Sequence, residues 1–127
     1  SGVPFLGICL GLQALFSSSE EAPDVEGLRI LPGRVERFPP GSRVPQMGWN
    51  CVRRLRFCRL LEGIPDRAYF YFAHSYYVPV NEATAASATY TVEYTAVLEA
   101  GNIFGVQFHP EKSGKLGLLV MRNFAEL

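Results

Sequence analysis

Val3-Pro4-Phe5-Leu6-Gly7-Ile8-Cys9-Leu10-Gly11-Leu12-Gln13-Ala14-Leu15-Phe16 is the stretch on which the fold class turns. Residues 3–8 are almost wholly apolar and read as a short buried strand. Pro4 is tolerable near its start, where a residue need not donate to a ladder. After Ile8 the pattern changes. Leu10, Leu12, Ala14, Leu15 and Phe16 follow at helix-compatible spacing, which the Ser17-Ser18-Ser19 cluster should end. Strand, glycine-flanked turn and helix form a βα unit, the building block of parallel sheets. A parallel strand needs neighbours, which normally come from further βα units. None follows, so the expectation is the C-terminal portion of a larger α/β domain.

The remaining chain reads mostly as strands. Residues 28–31, 34–38 and 50–55 are short and extended, divided by Pro32-Gly33 and Pro39-Pro40-Gly41. Residues 69–72 are aromatic and lead to His74. Residues 88–94 alternate, and 96–99 follow after an expected hairpin. Gly101-Asn102 marks a second hairpin turn, and the strand 103–109 stops at Pro110. Leu116, Leu119, Val120, Phe124 and Leu127 then recur at helical spacing and predict a closing amphipathic helix. The whole is a mixed α/β chain with antiparallel strands.

Its length of 127 residues suits one domain, and 48% hydrophobic with 19% charged residues is a folding composition. Twelve Lys and Arg balance twelve Asp and Glu. That balance gives no case for nucleic acid or an anionic membrane as partner. No apolar run approaches bilayer length, and Ser1-Gly2-Val3-Pro4 lacks the marks of a targeting signal. The cysteines are Cys9, Cys51 and Cys58, an odd number with no C-x-x-C, and the histidines are His74 and His109. This argues against a disulfide scaffold and a structural zinc site, and makes a reducing cytoplasm the expected setting.

Gly7-Ile8-Cys9-Leu10-Gly11 places a nucleophile between two glycines at a strand-to-helix junction, a nucleophile elbow. The glycines should be there because so tight a turn leaves no room for side chains. The sulfur then lies at a helix N-terminus, which favours thiolate, and the Leu10 N–H points where an oxyanion forms. In His109-Pro110-Glu111, residues i and i+2 point the same way on an extended chain. Glu111 can therefore hold the imidazole of His109 in one tautomer, and His109 can serve a thiol as base. The bland alternatives are a packed cysteine and a surface histidine beside a solvated glutamate. Each motif supplies what the other lacks. His74 has no acid within two residues and reads as pocket-lining or structural. Cys51 and Cys58 read as structural, the aromatics at 69–72 as core, and Arg53, Arg54, Arg56 and Arg59 as a solvated face.

Four segments carry a resemblance: G-I-C-L-G-L-Q at 7–13, P-Q-M-G-W-N at 45–50, H-S-Y at 74–76 and Q-F-H-P-E-K-S-G at 107–114. Together they resemble the class I (triad) glutamine amidotransferases. The second and fourth are most similar to the glutaminase subunits of imidazole glycerol phosphate synthases. The resemblance runs through the whole chain. It implies a flavodoxin-like three-layer fold whose first βα units and oxyanion-completing glycine loop precede Ser1. It also implies Cys9 as nucleophile, His109 as base and Glu111 as its orienting acid. Gln13, Glu21, Ser75 and Tyr76 match positions that hold glutamine. Trp49, Asn50 and Lys112 match surface that faces a (β/α)8-barrel cyclase subunit. The activity implied is hydrolysis of glutamine to glutamate and ammonia, the ammonia passing to the cyclase in histidine biosynthesis, with no cofactor. Gln46 departs from the pattern, since members often have His there. Another triad amidotransferase or cysteine hydrolase, and a non-catalytic binding module, stay open at this point.

Overall fold

The computed structural model describes residues 2–19, 27–28 and 30–127. Strand β1 (Phe5–Ile8) enters a one-turn helix α1 (Leu10–Gln13), followed by β2 (Phe16–Ser19), β3 (Leu31–Arg37), β4 (Gln46–Arg54) and β5 (Ala68–His74). Then come β6 (Tyr76–Tyr77), β7 (Thr84–Tyr90), β8 (Val92–Ala100), β9 (Ile103–Val106) and the closing helix α2 (Gly114–Ala125). The main sheet runs β1-β9-β8-β7-β4-β5, and a smaller one runs β2-β3-β6.

β1 is parallel to β9, with Phe5 opposite Ile103 and Ile8 opposite Val106. The parallel neighbour looked for upstream is thus supplied, on one side, by a strand far downstream. The other ladders of the main sheet are antiparallel. Beyond β9 the chain reaches the opposite edge, where the His109 N–H donates to the Tyr71 carbonyl at 2.9 Å and the Tyr71 N–H donates to Ser113 Oγ at 2.9 Å. The sheet is therefore curled, and its two ends meet at 109–113.

Alternation along the strands divides the core. Val97 and Phe104 face one cluster with Phe70, Phe72, Phe108 and Val120, while Leu98 and Ile103 face a second with Leu12, Leu15, Phe16 and Val35. α2 covers the first face through Leu116, Val120 and Phe124, and leaves Leu118 exposed. α1 and the small sheet cover the second. The result is the mixed α/β arrangement expected.

Four local expectations change. The helix after the elbow is a single turn, because Leu28 N–H bonds the Ala14 carbonyl and Ile30 and Leu31 N–H bond that of Leu15. Those acceptors are lost to a longer helix, and Phe16 turns into β2. Pro32-Gly33 lies within β3 and does not precede it. Residues 88–94 are two strands, since the β7–β8 turn falls at Thr91, which adopts φ 62 without being Gly or Asn. The arginine cluster is tied down: Arg53 to Glu93, Arg54 to the carbonyls of Leu61 and Ile64, Arg56 to those of Ala83 and Glu99, and Arg59 to Glu99.

The elbow reading asks for both glycines, but the packing needs only one. A Cβ on Gly7 would lie 2.5 Å from the Gly11 carbonyl oxygen and 2.6 Å from its carbon, whereas one on Gly11 meets nothing within 4 Å. Gly7→Ala should therefore cost about 2 kcal/mol or more, because backbone must move. Gly11→Ala should stay within about 1 kcal/mol of wild type, with helix propensity in its favour. Urea unfolding of both variants checks this, and equal midpoints would contradict the close approach of strand and helix.

Candidate active site

Cys9 leaves the ladder at its last bond. Its N–H donates to the Val106 carbonyl at 2.7 Å, and its own backbone turns to φ 54, ψ −102. A side-chain-bearing residue in that region is strained by about 1–3 kcal/mol. Gln13 N–H returns to the Cys9 carbonyl at 3.2 Å and closes the turn. At the neighbouring strand end, His109 Nδ1 lies 3.1 Å from Glu111 Oε2. A carboxylate can only accept, so Nδ1 carries the proton of this bond, and Nε2 is the ring nitrogen left free of Glu111. Glu111 is mostly solvent-exposed, with 61% of its side chain open. Its value is orientation more than ion-pair energy.

Cys9, Leu10, Gln13, His74, Ser75, Tyr76 and His109 all border one open cleft of about 370 Å³. The structure thus brings together the expected residues of the nucleophile, base and substrate positions; Glu21 lies outside the described residues. The Gln13 amide donates to the Tyr76 carbonyl at 3.0 Å and to Gln107 Oε1 at 3.1 Å. Among the described residues no group of His, Cys, Asp and Glu is gathered that could hold a metal ion. No helix there is long and apolar enough to cross a membrane.

Behind the cleft lies a polar network. His74 Nδ1 donates to the Tyr76 carbonyl at 2.8 Å, and Nε2 lies 2.8 Å from the Gln46 amide nitrogen, from which it accepts. Gln46 also donates to the Tyr94 hydroxyl at 2.7 Å and accepts from the Asn50 amide at 2.7 Å. Burial drives the His74 pKa down to about 4. The Tyr76 carbonyl works against this, and nearby His109 adds a smaller lowering. Both nitrogens of His74 are engaged, and it is neutral.

The residues expected to face a partner divide. Trp49 is 56% exposed and stands edge-on to Tyr71 at 6.0 Å, and Lys112 Nζ sits 5.9 Å from the same ring. With exposed Met47 they form an outward patch. Asn50 is the exception. Strand alternation turns its side chain to the opposite face of β4, where it bonds Gln46 and the Thr89 carbonyl. Of the other thiols, Cys51 donates to the Arg67 carbonyl, and burial, helped by Glu99, pushes Cys58 up to about 11.

Two further glutamines are buried, Gln46, which the sequence reading noted only as a departure from the family pattern, and Gln107, to which it gave no role. Gln46 is 4% exposed and Gln107 is fully buried, its amide 3.5 Å from Cys9 Sγ. The available signal for Gln107 was a lone polar residue in the apolar run 103–108, on the same strand face as His109.

His74 makes a pH prediction. It stays neutral in the folded protein to about pH 4, while the unfolded chain protonates it near 6.5. Between those values the unfolded state binds more protons, so stability falls as pH drops and is regained above 6.5. The full effect is about 3 kcal/mol. His74→Asn, which cannot titrate, should lose less of its own stability between pH 7 and pH 4.5. Urea melts of both proteins at the two pH values measure the difference, and parallel losses would count against a buried neutral His74.

The family description Glutamine amidotransferase class-I matches residues 1–126. The chain is 57% identical to "Imidazole glycerol phosphate synthase subunit HisH" of Methanothermobacter thermautotrophicus, over 99% of this chain and 64% of that protein. It is 53% identical to the protein of the same name in Desulfitobacterium hafniense, over 99% of this chain and 61% of that one. It therefore spans a little over three-fifths of the length of these curated relatives. The crystal structure of a glutamine amidotransferase from Thermotoga maritima superposes with a TM-score of 0.61 at 24% identity, over 97% of this chain and 45% of that one, which is a likeness of fold. An elbow cysteine, a strand-end His-x-Glu and a sheet of matching topology are joined by a match along almost every residue: the chain belongs to the class-I glutamine amidotransferase family.

Proposed function

We propose that this chain carries the glutaminase half of an imidazole glycerol phosphate synthase. The observation that supports this most is the single cleft bordered by the Cys9 elbow, by His109 with Glu111 behind it, and by Gln13. The 57% and 53% identity to proteins named as subunits of that synthase supports the choice within the family.

The reaction is acyl transfer from a carboxamide. His109 Nε2 takes the thiol proton of Cys9, the thiolate attacks the side-chain carbonyl carbon of glutamine, and the Leu10 N–H meets the oxyanion. Protonated His109 gives its proton to the departing nitrogen, ammonia leaves, and a thioester remains. His109 then takes a proton from water, whose oxygen attacks the thioester, and glutamate and the free thiol are released. Glu111 holds the imidazole for both transfers. Both N–H groups of the Gln13 amide are committed to Tyr76 and Gln107, which leaves its carbonyl oxygen for the substrate. Ser75 and Tyr76 line the same pocket, and Glu21 receives the substrate ammonium. No cofactor enters this chemistry.

Ammonia passes to a (β/α)8-barrel cyclase subunit, which docks on the exposed Met47, Trp49 and Lys112 patch. Contiguous exposed apolar side chains of this kind mark interaction surfaces. The setting is the cytoplasm, in histidine biosynthesis.

In the complete subunit with its partner, Cys9→Ala should lower glutamine-fed turnover by about 10³-fold or more and spare turnover fed by free ammonia. His109→Ala should behave likewise, while His74→Ala retains measurable activity. Loss of both activities in Cys9→Ala, or of neither, overturns the assignment. Docking also predicts that synthase ligand stimulates glutamate production, and that Lys112→Ala weakens this stimulation more than the basal rate. Equal fold-stimulation in both proteins would remove Lys112 from the coupling.

A further inference from the structure

We propose that Gln107 is a catalytic residue of this site: its carboxamide donates a hydrogen bond to the sulfur of Cys9 and stabilises the thiolate. The inference rests on the reading of Cys9 as nucleophile.

The position is dictated by register. Ile8 pairs with Val106 across the parallel ladder, so the next residue of each strand, Cys9 and Gln107, stand side by side. Gln107 is fully buried within the run Phe104 to Phe108, where an amide is costly unless its polar atoms are bonded. Both ends of its side chain are bonded. Nε2 lies 3.5 Å from Cys9 Sγ, and Oε1 accepts from the Gln13 amide at 3.1 Å. The second bond fixes the first. Flipping the Gln107 amide would set its NH₂ against the NH₂ of Gln13 and its carbonyl oxygen against the sulfur. Gln13 is held in turn by the Tyr76 carbonyl, which His74 also bonds. The donor that meets the sulfur is therefore aimed by a chain of buried bonds.

Such a donor has work to do. A hydrogen bond to the charged form lowers the pKa of an acid. The helix that follows Cys9 is one turn long, so its dipole is a fraction of that of a full helix. Among the described residues, the titratable groups that border the cleft with Cys9 are His109, His74 and Tyr76, and Glu111 reaches it through His109. His74 is neutral, and the charge on His109 comes and goes during the reaction. The Gln107 dipole is constant, and it favours thiolate in every protonation state of His109.

The test uses the full chain and follows alkylation of Cys9 by iodoacetamide against pH, reading the Cys9 peptide by mass spectrometry. Gln107→Met keeps the volume and removes the donor. Gln107→Glu keeps the acceptor for Gln13 and places a carboxylate against the sulfur. The alkylation midpoint should rise by about one pH unit in Gln107→Met and further in Gln107→Glu. Glutamine-fed kcat at pH 7 should fall about tenfold in Gln107→Met and recover in part at higher pH, which a packing defect would not do. If Gln107→Met fails to fold, as judged by thermal melting, Gln107→Glu carries the test alone. A wild-type midpoint in the folded variants overturns the proposal. It would leave the glutaminase reading intact, because that reading stands or falls on Cys9→Ala with glutamine and with ammonia.

Discussion

The parallel pairing of β1 with β9 is the constraint on which the rest depends. It joins residues about a hundred positions apart and sets their register, Ile8 against Val106. At that line β1 stops and bends into the elbow, while the partner strand continues through Gln107 and Phe108 to His109. Cys9, Gln107 and His109 therefore emerge together at the carboxyl end of two adjacent parallel strands, the edge where α/β sheets place their ligands. A register slip of one residue would turn Gln107 and His109 to the other face of the sheet.

The curl of the sheet completes the cleft. Were the sheet flat, β5 would lie far from β9. Instead His109 bonds Tyr71, and the loop after β5 brings Ser75 and Tyr76 to the elbow. Below them Gln46, His74 and Tyr94 form a buried polar layer, with half-buried Asn50 at its rim, in which each side chain is bonded to another. Such a layer is stabilising only when satisfied, and among the described residues no buried side-chain nitrogen or oxygen lacks a partner. It fixes the Tyr76 carbonyl, to which Gln13 bonds, so this layer also sets one wall of the cleft.

Legibility in the sequence followed the range of the interactions. The elbow and His109-x-Glu111 were readable because each is a local geometry: a turn too tight for a Cβ at residue 7, and a two-residue spacing at a strand end. The closing helix was readable from Leu116, Val120 and Phe124. The partner of β1 was not, since no local pattern says that residues 103–106 will run parallel to residues 5–8. The β7–β8 turn was missed because Thr91 adopts a left-handed backbone without the Gly or Asn that usually marks one. Asn50 was placed outward beside Trp49 on resemblance alone, although adjacent residues of a strand point to opposite faces, and in the structure it bonds Gln46 and the Thr89 carbonyl. Gln46 and Gln107 acquire meaning only when the strands that carry their partners are side by side.

The left-handed backbone of Cys9 has an evolutionary consequence. Glycine adopts φ 54 without the strain that a Cβ brings, so selection for folding alone would favour glycine at the elbow. Holding a thiol there keeps the domain below the stability its fold could reach, and the neighbouring packing must carry that deficit. Neutral drift in Leu12, Phe104 or Val106 is therefore narrowed by a requirement that none of these residues meets in the chemistry. In lineages that no longer need the thiol, replacement of Cys9 by glycine is a route by which an enzyme of this architecture can become a more stable binding protein.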